Sequence, residues 1–353
     1  MNRLKAIASA LASKGIDGIL ISDIRNIRYL SGFTGSSACL VLTGRERVIV
    51  TDFRYKEQAG REVKGFDIHI AADEMPKAVI ERAKSMGIST LGFEATVTYA
   101  FYRALLRKGL RLRAVSNFVE DMRRVKDEGE LSLIRQAIDR AEKAFNETRA
   151  YVRPGSTEKQ IALLLEENLK KNGCGTLPFA IIVAAGTNSS MPHARPTDYR
   201  LKAGDLVVVD WGGEAEGYFS DMTRTLLMKG PDISKKKEMY GTVLEANLKA
   251  IGSVSGGIHA RMVDKAARDV IKKAGYGDFF GHGTGHGVGL YVHELPRISR
   301  LGRESVKAGM VFTIEPGIYL PGIGGVRIED MVLADKKGCR VLTSLPKELE
   351  TVN

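Results

Sequence analysis

The sequence predicts an α/β (α+β) fold in two domains, residues 1–122 and 123–353. A length of 353 residues with 44% hydrophobic content supplies enough apolar side chains for two cores. In the first part of the chain, helical patterns alternate with short β-branched runs, which is typical of a sheet covered by helices. Between residues 122 and 126 this alternation gives way to a long amphipathic helix and then to strands that bear acidic residues. The change marks the predicted boundary.

The first domain is predicted to be an α/β sandwich around a mixed sheet. Its predicted elements are helix 2–14, strand 18–23, a loop from 26 to 37, strands 38–44 and 47–52, helix 53–62, strand 67–71, helix 75–86 and strand 90–95. The basic stretch from Arg103 to Arg113 is interpreted as a solvated helix face followed by a turn.

The second domain is predicted to open with a long helix. Asp127 and Glu130 have the spacing of a capping box, and Leu131, Ile134 and Ile138 begin an apolar stripe at helical spacing. Further helices are predicted at residues 157–172, 236–251 and 259–274, between strands that carry the acidic residues.

Two aspartates lie on segments that are predicted to pair as a hairpin. Residues 205–211, DLVVVDW, form a β-branched run after a turn signal at Gly204, so Asp210 is expected near the end of a buried strand. The segment GGEAEG turns the chain, and YFSDMTRTLLM is predicted to return as a strand with Asp221, Thr223 and Thr225 on one face. A strand interior is a poor place for an unpaired acid, and both aspartates can meet across the hairpin.

A second acidic pair repeats this pattern on two later strands. In MVFTIEPGIYL, Glu315 shares a strand face with Thr313 before Pro316 breaks the strand. In GGVRIEDMVLA, Glu329 shares a face with Arg327.

Three histidines stand between the two acidic pairs in a glycine-rich segment. GHGTGHGVGLYVHE, residues 281–294, contains His282, His286 and His293, and its glycines let the backbone pack closely around whatever the imidazoles bind. Four carboxylates balance the charge of two divalent cations, and a neutral imidazole from His286 adds a ligand without upsetting that balance. A carboxylate-rich set favours Mn²⁺ or Co²⁺, with Zn²⁺ and Fe²⁺ as alternatives. The sequence therefore predicts a two-metal site.

Each of these residues also has a simpler structural interpretation. A single carboxylate on a strand is more often a satisfied hydrogen-bond acceptor, and a lone histidine is usually structural. The glycine-rich segment could be mistaken for a phosphate cradle, but it has neither G-x-G-x-x-G opening a helix nor G-K-[ST]. The joint occurrence of the acidic residues and the histidine on strands favours the metal site.

Composition excludes several other classes of protein. The net charge is +11, but the basic residues do not cluster with stacking aromatics, so we expect no nucleic-acid partner. Three scattered cysteines are too few for a disulfide framework or a thiolate metal site, which indicates a reducing compartment. No apolar run approaches the length of a membrane span, and the N-terminal segment has helical spacing instead of the pattern of a signal peptide. We therefore expect a cytoplasmic protein with no membrane partner.

At its metal motifs the chain resembles the pita-bread metallopeptidases, and within them the proline-specific branch of Xaa-Pro dipeptidases (prolidases) and Xaa-Pro aminopeptidases (aminopeptidase P). The segments DWGGEAEGYFSDMTRT, GHGTGHGVGLYVHELPRIS, TIEPGIYLPG and GGVRIED are similar to the family's metal and substrate motifs. NIRYLSGFTGSSA and VIVTDFRY are similar to its N-terminal domain. The resemblance implies a creatinase-like α/β domain over residues 1–122 and a pita-bread catalytic domain over residues 123–353. Methionine aminopeptidases match less well, since they lack the extra domain.

The resemblance also implies a role for each site residue. For the metals, it implies that Asp221 and Glu329 bridge the two ions, that Asp210 completes one site, and that His286 and Glu315 complete the other. For the chemistry, it implies Glu315 as proton shuttle and His193 and His293 as the histidines that stabilise the oxyanion and orient the substrate. For the substrate, it implies a proline pocket lined by Phe179, His282 and Tyr319, a carboxylate contact from Arg297, and support of the ligands by Arg327.

The function implied by the resemblance is cleavage of the Xaa-Pro bond at the N-terminus of short peptides, with Xaa-Pro dipeptidase favoured. Xaa-Pro aminopeptidase, acting on longer peptides, is the alternative that the sequence leaves open. A catalytically silent pita-bread binding protein and an amidinohydrolase-like enzyme are disfavoured by the complete ligand set. The partners implied are proline-containing di- or oligopeptides. A second copy of the chain is implied as well, since prolidase-like relatives place the N-terminal domain over a neighbouring subunit's site.

Overall fold

The structure, a computed structural model, describes residues 3–106, 109–231 and 233–352. Contacts between Cα atoms divide the chain into two compact units, Met1–Arg123 and Arg124–Asn353. Among the described residues, no helix is both long enough and apolar enough to cross a bilayer.

The first unit alternates helices with strands. Its helices are α1 (Arg3–Lys14), α2 (Ile24–Ser31), α3 (Lys56–Glu62), α4 (Met75–Ser85), α5 (Tyr99–Leu106) and α6 (Glu120–Arg123), with a 3₁₀ turn at Phe53–Tyr55. Its strands are β1 (Gly18–Ile21), β2 (Ala38–Thr43), β3 (Arg47–Thr51), β4 (Asp67–Ile70), β5 (Thr90–Glu94) and β6 (Arg111–Val115). These strands form one sheet in the order β4-β3-β2-β1-β5-β6.

The predicted mixed sheet is confirmed. Strand β2 pairs antiparallel with β1 and β3, whereas β3–β4, β1–β5 and β5–β6 pair parallel. The core of this unit packs Leu20, Val41, Val50 and Leu91 of the strands against Val79 of α4. Alternate residues of a strand point to opposite faces, so each strand can supply one face of this core.

Two local predictions in this unit were wrong. The predicted loop from 26 to 37 contains most of α2, which begins early because the Asp23 side chain accepts from the backbone N–H groups of Arg25 and Asn26. The helix ends at Gly32, whose φ of 80° is a left-handed conformation that glycine adopts readily. The stretch from Arg103 to Arg113 enters a strand, β6, and does not end in a simple turn. Residues 107 and 108 of that stretch lie outside the described residues.

The second unit contains four helices among its described residues. They are α7 (Glu128–Arg149), α8 (Glu158–Lys171), α9 (Ser234–Ser253) and α10 (Ala260–Lys273), with 3₁₀ turns at Gly186–Ser190 and Gly277–Phe279. The predicted capping box of α7 is confirmed, with the Asp127 side chain accepting from the Glu130 N–H and the Glu130 side chain accepting from the Asp127 N–H. The stripe that begins at Leu131 is buried.

The strands of the second unit form two larger sheets and two hairpins. They are β7 (Ile182–Ala185), β8 (Leu206–Trp211), β9 (Glu214–Ala215), β10 (Tyr218–Phe219), β11 (Met222–Met228), β12 (Gly285–Gly287), β13 (Glu294–Ile298), β14 (Val311–Ile314), β15 (Gly317–Leu320), β16 (Gly324–Arg327), β17 (Asp330–Ala334), β18 (Cys339–Val341) and β19 (Glu350–Val352). The sheets have the orders β19-β11-β8-β7 and β13-β12-β14-β17-β18, and the hairpins are β9–β10 and β15–β16.

Helices of the second unit pack against these sheets through buried side chains. Val243 of α9 and Val263 and Ile271 of α10 share a core with Phe312 of β14 and Val332 of β17. On α7, the ring of Phe145 stacks on Trp211 of β8 with a centroid separation of 4.3 Å, and the Trp211 Nε1–H donates to the Ala141 carbonyl. The strands that carry the acidic residues are therefore held by packed helices.

Candidate metal centre and active site

Strands β8 and β11 bring the two aspartates to one face of their sheet. The strands pair antiparallel with Thr223 opposite Asp210, and opposite residues share a face. Asp221 lies two residues before Thr223, and its carboxylate comes within 4.8 Å of that of Glu329. The predicted returning strand is divided into β10 and β11, with Ser220 and Asp221 between them. Asp221 therefore lies just before β11.

The two glutamates lie at matching ends of strands β14 and β17. These strands pair antiparallel with Ile314 opposite Asp330, so Glu315 follows one strand where Glu329 precedes the other. The Glu329 Oε2 accepts from the Thr223 hydroxyl at 2.7 Å, and the Glu329 N–H donates to the Thr223 carbonyl at 3.2 Å. Thr223 thus ties the second acidic pair to the strand of the first. The sequence placed Thr223 on this face but assigned it no role.

His286 on β12 faces the carboxylates. Its Nε2 lies 3.6 Å from Asp221 Oδ2 and 3.3 Å from Glu315 Oε1. Its Nδ1 lies 3.1 Å from the Gly287 carbonyl, which accepts the ring proton there and leaves the Nε2 lone pair directed at the acidic cluster. Burial lowers the pKa of His286, which favours the neutral ring that a metal ligand requires.

Glycines allow β12 to pack closely between its neighbouring strands. A Cβ atom at Gly285 would lie 1.9 Å from the Thr313 carbonyl oxygen, and one at Gly287 would lie 2.2 Å from the Leu295 carbonyl oxygen. Because these obstacles are backbone atoms, any side chain at either position would displace the strand that carries His286.

Burial and mutual repulsion make the acidic cluster unfavourable by itself. Burial first, and then the charges of Glu329, Asp210 and Glu315, raise the pKa of Asp221 well above its ordinary value. Burial first, and then Glu315 and Asp210, raise the pKa of Glu329 well above its ordinary value as well. Such a cluster requires bound positive charge to be fully ionised near neutral pH.

The residues present fit a divalent metal centre. Asp221, His286 and Glu329 each offer one ligand atom, and these atoms lie within 4.8 Å of one another. The Asp210 Oδ1 is buried and has no hydrogen-bond partner in the described parts of the chain. A buried carboxylate oxygen normally has such a partner, so its vacant lone pairs are suited to a cation. The donor set of carboxylate oxygens and one imidazole nitrogen suits hard to borderline divalent ions.

A hydrogen-bonded chain connects Arg327, Tyr319 and His282 beside the carboxylates. The Arg327 guanidinium donates to Asp210 Oδ2 at 2.6 Å and to the Tyr319 hydroxyl at 2.8 Å. The Tyr319 oxygen lies 2.9 Å from His282 Nε2, and His282 Nδ1 lies 2.7 Å from the Gly283 carbonyl. Since the Gly283 carbonyl can only accept a hydrogen bond, His282 carries its proton on Nδ1 and accepts from the Tyr319 hydroxyl at Nε2. Burial lowers the pKa of His282.

Two further histidines border the cluster. The His293 ring lies 4.4 Å from the ring of His286, and burial together with His286 and His193 lowers the pKa of His293 to about 4. His193 is exposed on the segment that follows the 3₁₀ turn at Gly186–Ser190. The lowered pKa makes His293 neutral at physiological pH.

Arg297 and Phe179 occupy less enclosed positions. Arg297 of β13 is exposed and pairs directly opposite His286 in the antiparallel ladder, so its side chain leaves the sheet on the His286 face. Phe179 is half-buried in the segment between α8 and β7. The structure thus brings Arg297 to the face of the site, whereas Phe179 lies on the segment that leads into β7.

The chain matches known proteins along its whole length. The sequence model of "Metallopeptidase family M24" matches residues 132–336, and that of the "Creatinase/Prolidase N-terminal domain" matches residues 3–125. A Xaa-Pro dipeptidase of Pyrococcus horikoshii is 38% identical, with 98% of this chain and 98% of that protein covered. These matches confirm the predicted fold class, a creatinase-like α/β domain followed by a pita-bread domain.

Solved structures agree with the sequence matches. A Xaa-Pro dipeptidase from Bacillus anthracis superposes with a TM-score of 0.96 at 38% identity, with 99% of each chain covered. An X-Pro aminopeptidase from Thermotoga maritima MSB8 superposes with a TM-score of 0.90 at 36% identity, again with 99% of each chain covered.

Removal of one carboxylate should have opposite effects on the metal-free and the metal-loaded protein. A carboxyl whose pKa is raised in the folded state destabilises that state increasingly as the pH rises above 4.5, the ordinary pKa of a glutamate. At pH 8 in chelator, Glu329→Gln should therefore raise the unfolding midpoint, by about 2–4 °C for each kcal/mol of repulsion relieved. With Mn²⁺ added, the same variant should unfold at a lower temperature than the wild type. Differential scanning calorimetry measures both.

Glu158→Gln is the matched control for this prediction. Glu158 is fully buried, but its carboxylate accepts from the backbone N–H groups of Ala185 and Thr197 and from the Thr197 hydroxyl. Its replacement should lower the unfolding midpoint with and without metal, because it weakens satisfied charged hydrogen bonds. A Glu329→Gln variant that is destabilised in chelator as well would contradict the repulsion described above.

Proposed function

Because the chain belongs to metallopeptidase family M24, we propose that it is a Xaa-Pro dipeptidase, a two-metal hydrolase that splits Xaa-Pro into an amino acid and free proline. The observation that carries this proposal is the convergence of Asp221, His286 and Glu329 within 4.8 Å, beside the orphaned Asp210 oxygen. The dipeptide preference rests on the named dipeptidases among the relatives.

The family implies two divalent cations, and Asp221, His286 and Glu329 lie close enough to share one. We assign Asp221 and Glu329 to both ions, Asp210 to one of them, and His286 and Glu315 to the other. The carboxylate-rich donor set favours Mn²⁺ or Co²⁺ over Zn²⁺ and Fe²⁺. Two such ions, when bound, supply Lewis acidity that makes water acidic enough to attack near neutral pH and polarises the scissile carbonyl.

Glu315 is suited to move the proton that hydrolysis transfers. Burial raises the pKa of its carboxyl, which brings proton uptake closer to neutral pH. The Thr313 hydroxyl donates to Glu315 Oε1 at 3.3 Å, while Oε2 lies 4.0 Å from His282 Nδ1. The carboxylate, fixed in this way, takes a proton from the attacking water and passes it to the proline nitrogen that leaves.

The histidines at the edge of the site serve the tetrahedral oxyanion. His293 has a pKa of about 4, so a ring N–H is present without a full charge near neutral pH. A hydrogen-bond donor directed at the oxygen that gains charge stabilises the transition state more than the substrate. We assign this role to His293 and, from the opposite segment, to His193.

Proline at the second position requires a pocket that makes no demand for an amide hydrogen. The scissile Xaa-Pro bond is a tertiary amide, and it presents a ring where other peptides present an N–H. We assign the lining of this pocket to Phe179, His282 and Tyr319. The Tyr319 hydroxyl also accepts from Arg327, and Arg327 in turn holds Asp210 in place.

Arg297 is the candidate for the free carboxylate of a dipeptide. It is exposed on the face of β13 that His286 shares, and a guanidinium binds a carboxylate with paired hydrogen bonds. Such a contact favours dipeptides, because a longer peptide has an amide at that position. Xaa-Pro aminopeptidase activity is the second candidate, favoured by the similarity to the Thermotoga maritima aminopeptidase. A cytoplasmic homodimer completes the proposal.

Chain-length preference tests the proposed substrate. The wild-type enzyme should release proline from Xaa-Pro faster than it cleaves Xaa-Pro-Yaa at equal concentration. Arg297→Ala should raise KM for Xaa-Pro by the equivalent of about 1.5–3 kcal/mol, the contribution of a charged hydrogen bond, with tripeptide cleavage almost unchanged. Steady-state assays with both substrates measure this. Arg300→Ala removes an exposed arginine three residues further on and should alter neither substrate. A wild-type preference for tripeptides would assign the chain to aminopeptidase P instead.

Metal dependence follows from the shared ligands. Chelator should abolish activity, and Mn²⁺ or Co²⁺ should restore it. Asp221→Ala and Glu329→Ala should each lose both ions, because each carboxylate is assigned to both, and metal analysis of the purified protein measures this. Glu216→Ala removes an exposed carboxylate from the β9–β10 turn and should retain full metal content. Full activity of the metal-free enzyme would refute the proposal.

His293→Ala separates the chemical step from metal binding. The variant should keep its metal content while kcat falls by about a hundredfold or more, as for loss of one oxyanion donor. Metal analysis and steady-state kinetics are measured on the same preparation. His259→Ala, which removes an exposed histidine just before α10, serves as the control and should retain kcat. Loss of metal in His293→Ala would show that His293 is a ligand.

A further inference from the structure

Helix α10 carries a buried ion pair on its core-facing side. The Arg268 guanidinium binds Asp264 through two hydrogen bonds, from Nε to Oδ2 at 2.9 Å and from Nη2 to Oδ1 at 2.7 Å. The Asp264 side chain is 1% exposed and that of Arg268 is 13% exposed. The same face of the helix buries Val263, Ala267 and Ile271. A buried ion pair is weak evidence for stability, because apolar residues of similar volume often stabilise as well or better.

Arg268 also holds the segment that carries His282. Its Nη1 donates to the Phe280 carbonyl at 2.9 Å, and its Nη2 donates to the His282 carbonyl at 2.8 Å. The guanidinium carbon lies 4.2 Å from the centroid of the Phe280 ring. The Arg268 guanidinium therefore fixes the backbone on both sides of Gly281. A Cβ atom at Gly281 would meet nothing within 4 Å. Gly281 itself has no side chain whose packing could fix this backbone in place of the arginine.

Asp264 holds the other end of the same segment. Its Oδ1 accepts from the Thr284 hydroxyl at 2.8 Å and from the Thr284 N–H at 3.2 Å. Thr284 is fully buried, and its carbonyl accepts from the Glu315 N–H at 2.8 Å. One turn of α10 therefore sets the backbone at His282 directly and at Glu315 through a single intervening residue.

We propose that Asp264 and Arg268 are positioning residues of the active site, which act through the backbone of residues 280–284 on His282 and Glu315. The inference rests on the proposed function, in which His282 lines the proline pocket and Glu315 binds metal and moves the proton. Arg268 fixes the backbone that positions the His282 ring beside Tyr319. Asp264, through Thr284, fixes the backbone that positions the Glu315 carboxylate for metal binding.

Substitutions at the pair should impair the site in a folded protein. Arg268→Lys keeps the charge but cannot bind Asp264 and two carbonyls in one plane. It should lower kcat/KM for Xaa-Pro by about tenfold or more, mainly through KM, since loss of a supporting contact typically costs 10- to 100-fold. Asp264→Asn should weaken Mn²⁺ binding to the metal-free protein by about tenfold or more in calorimetric titration. Thermal unfolding, followed by circular dichroism, sets an assay temperature at which every variant is folded.

The neighbouring pair on the same helix supplies a matched control. Lys265 and Asp269 have the same spacing, lie one residue further along, and form an ion pair whose side chains are 58% and 59% exposed. Lys265→Gln and Asp269→Asn should leave kcat, KM and Mn²⁺ affinity within about twofold of the wild type, since exposed ion pairs contribute little. The contrast isolates the contacts to residues 280–284 from loss of an ion pair on α10.

Thr284→Val serves if Asp264→Asn does not fold. It deletes only the hydroxyl that donates to Asp264 and should weaken Mn²⁺ binding by about three- to tenfold, the worth of one hydrogen bond. The proposal is overturned if folded variants have lower unfolding midpoints but wild-type kcat, KM and Mn²⁺ affinity. If the wild type does not cleave Xaa-Pro, the proposed function fails, and the Mn²⁺ titrations still decide the role of the pair.

Discussion

The structure of the catalytic unit depends on holding mutually repelling carboxylates in one buried pocket. Burial and the nearby carboxylates raise the pKa values of Asp221 and Glu329. The acidic side chains would therefore move apart if the backbone that carries them could move. Arg327 supplies one compensating charge through Asp210. Bound cations would supply the remaining positive charge, which makes the rigidity of the surrounding strands a requirement for metal binding as well as for catalysis.

Rigidity is supplied from behind the site by buried arginines that bind backbone carbonyls. Arg224 donates to the carbonyls of Thr223 and Glu329 and forms an ion pair with Asp330, which also accepts from Lys347. Arg268 does the same for the segment before His286. In both places a guanidinium binds carbonyl oxygens and a carboxylate together, as its planar fork of donors permits. Each arginine is thus also bound by an aspartate, Asp330 or Asp264, that is not among the proposed metal ligands.

The acidic motifs could be predicted from sequence because each is local to a strand. Alternation along a strand predicts Thr223 and Asp221 on one face, and in the structure both side chains lie close to the Glu329 carboxylate. Helix α2 was missed because its cap, Asp23, looked like the end of the preceding strand. The contacts of Asp264 and Arg268 could not be predicted, since periodicity marks a helix face as core and does not show that a buried polar pair reaches a segment 14 to 20 residues away.

The proton on His286 is placed by the main chain, with consequences for how this site can change over generations. In many metal sites a side-chain carboxylate orients the ligating ring, and one codon change can remove it. Here the partner is the Gly287 carbonyl, which every amino acid possesses. Point mutation at position 287 therefore cannot delete the acceptor itself, and selection acts on the shape of the strand. The tautomer of His286 therefore depends on the path of β12 and not on the side chain at position 287.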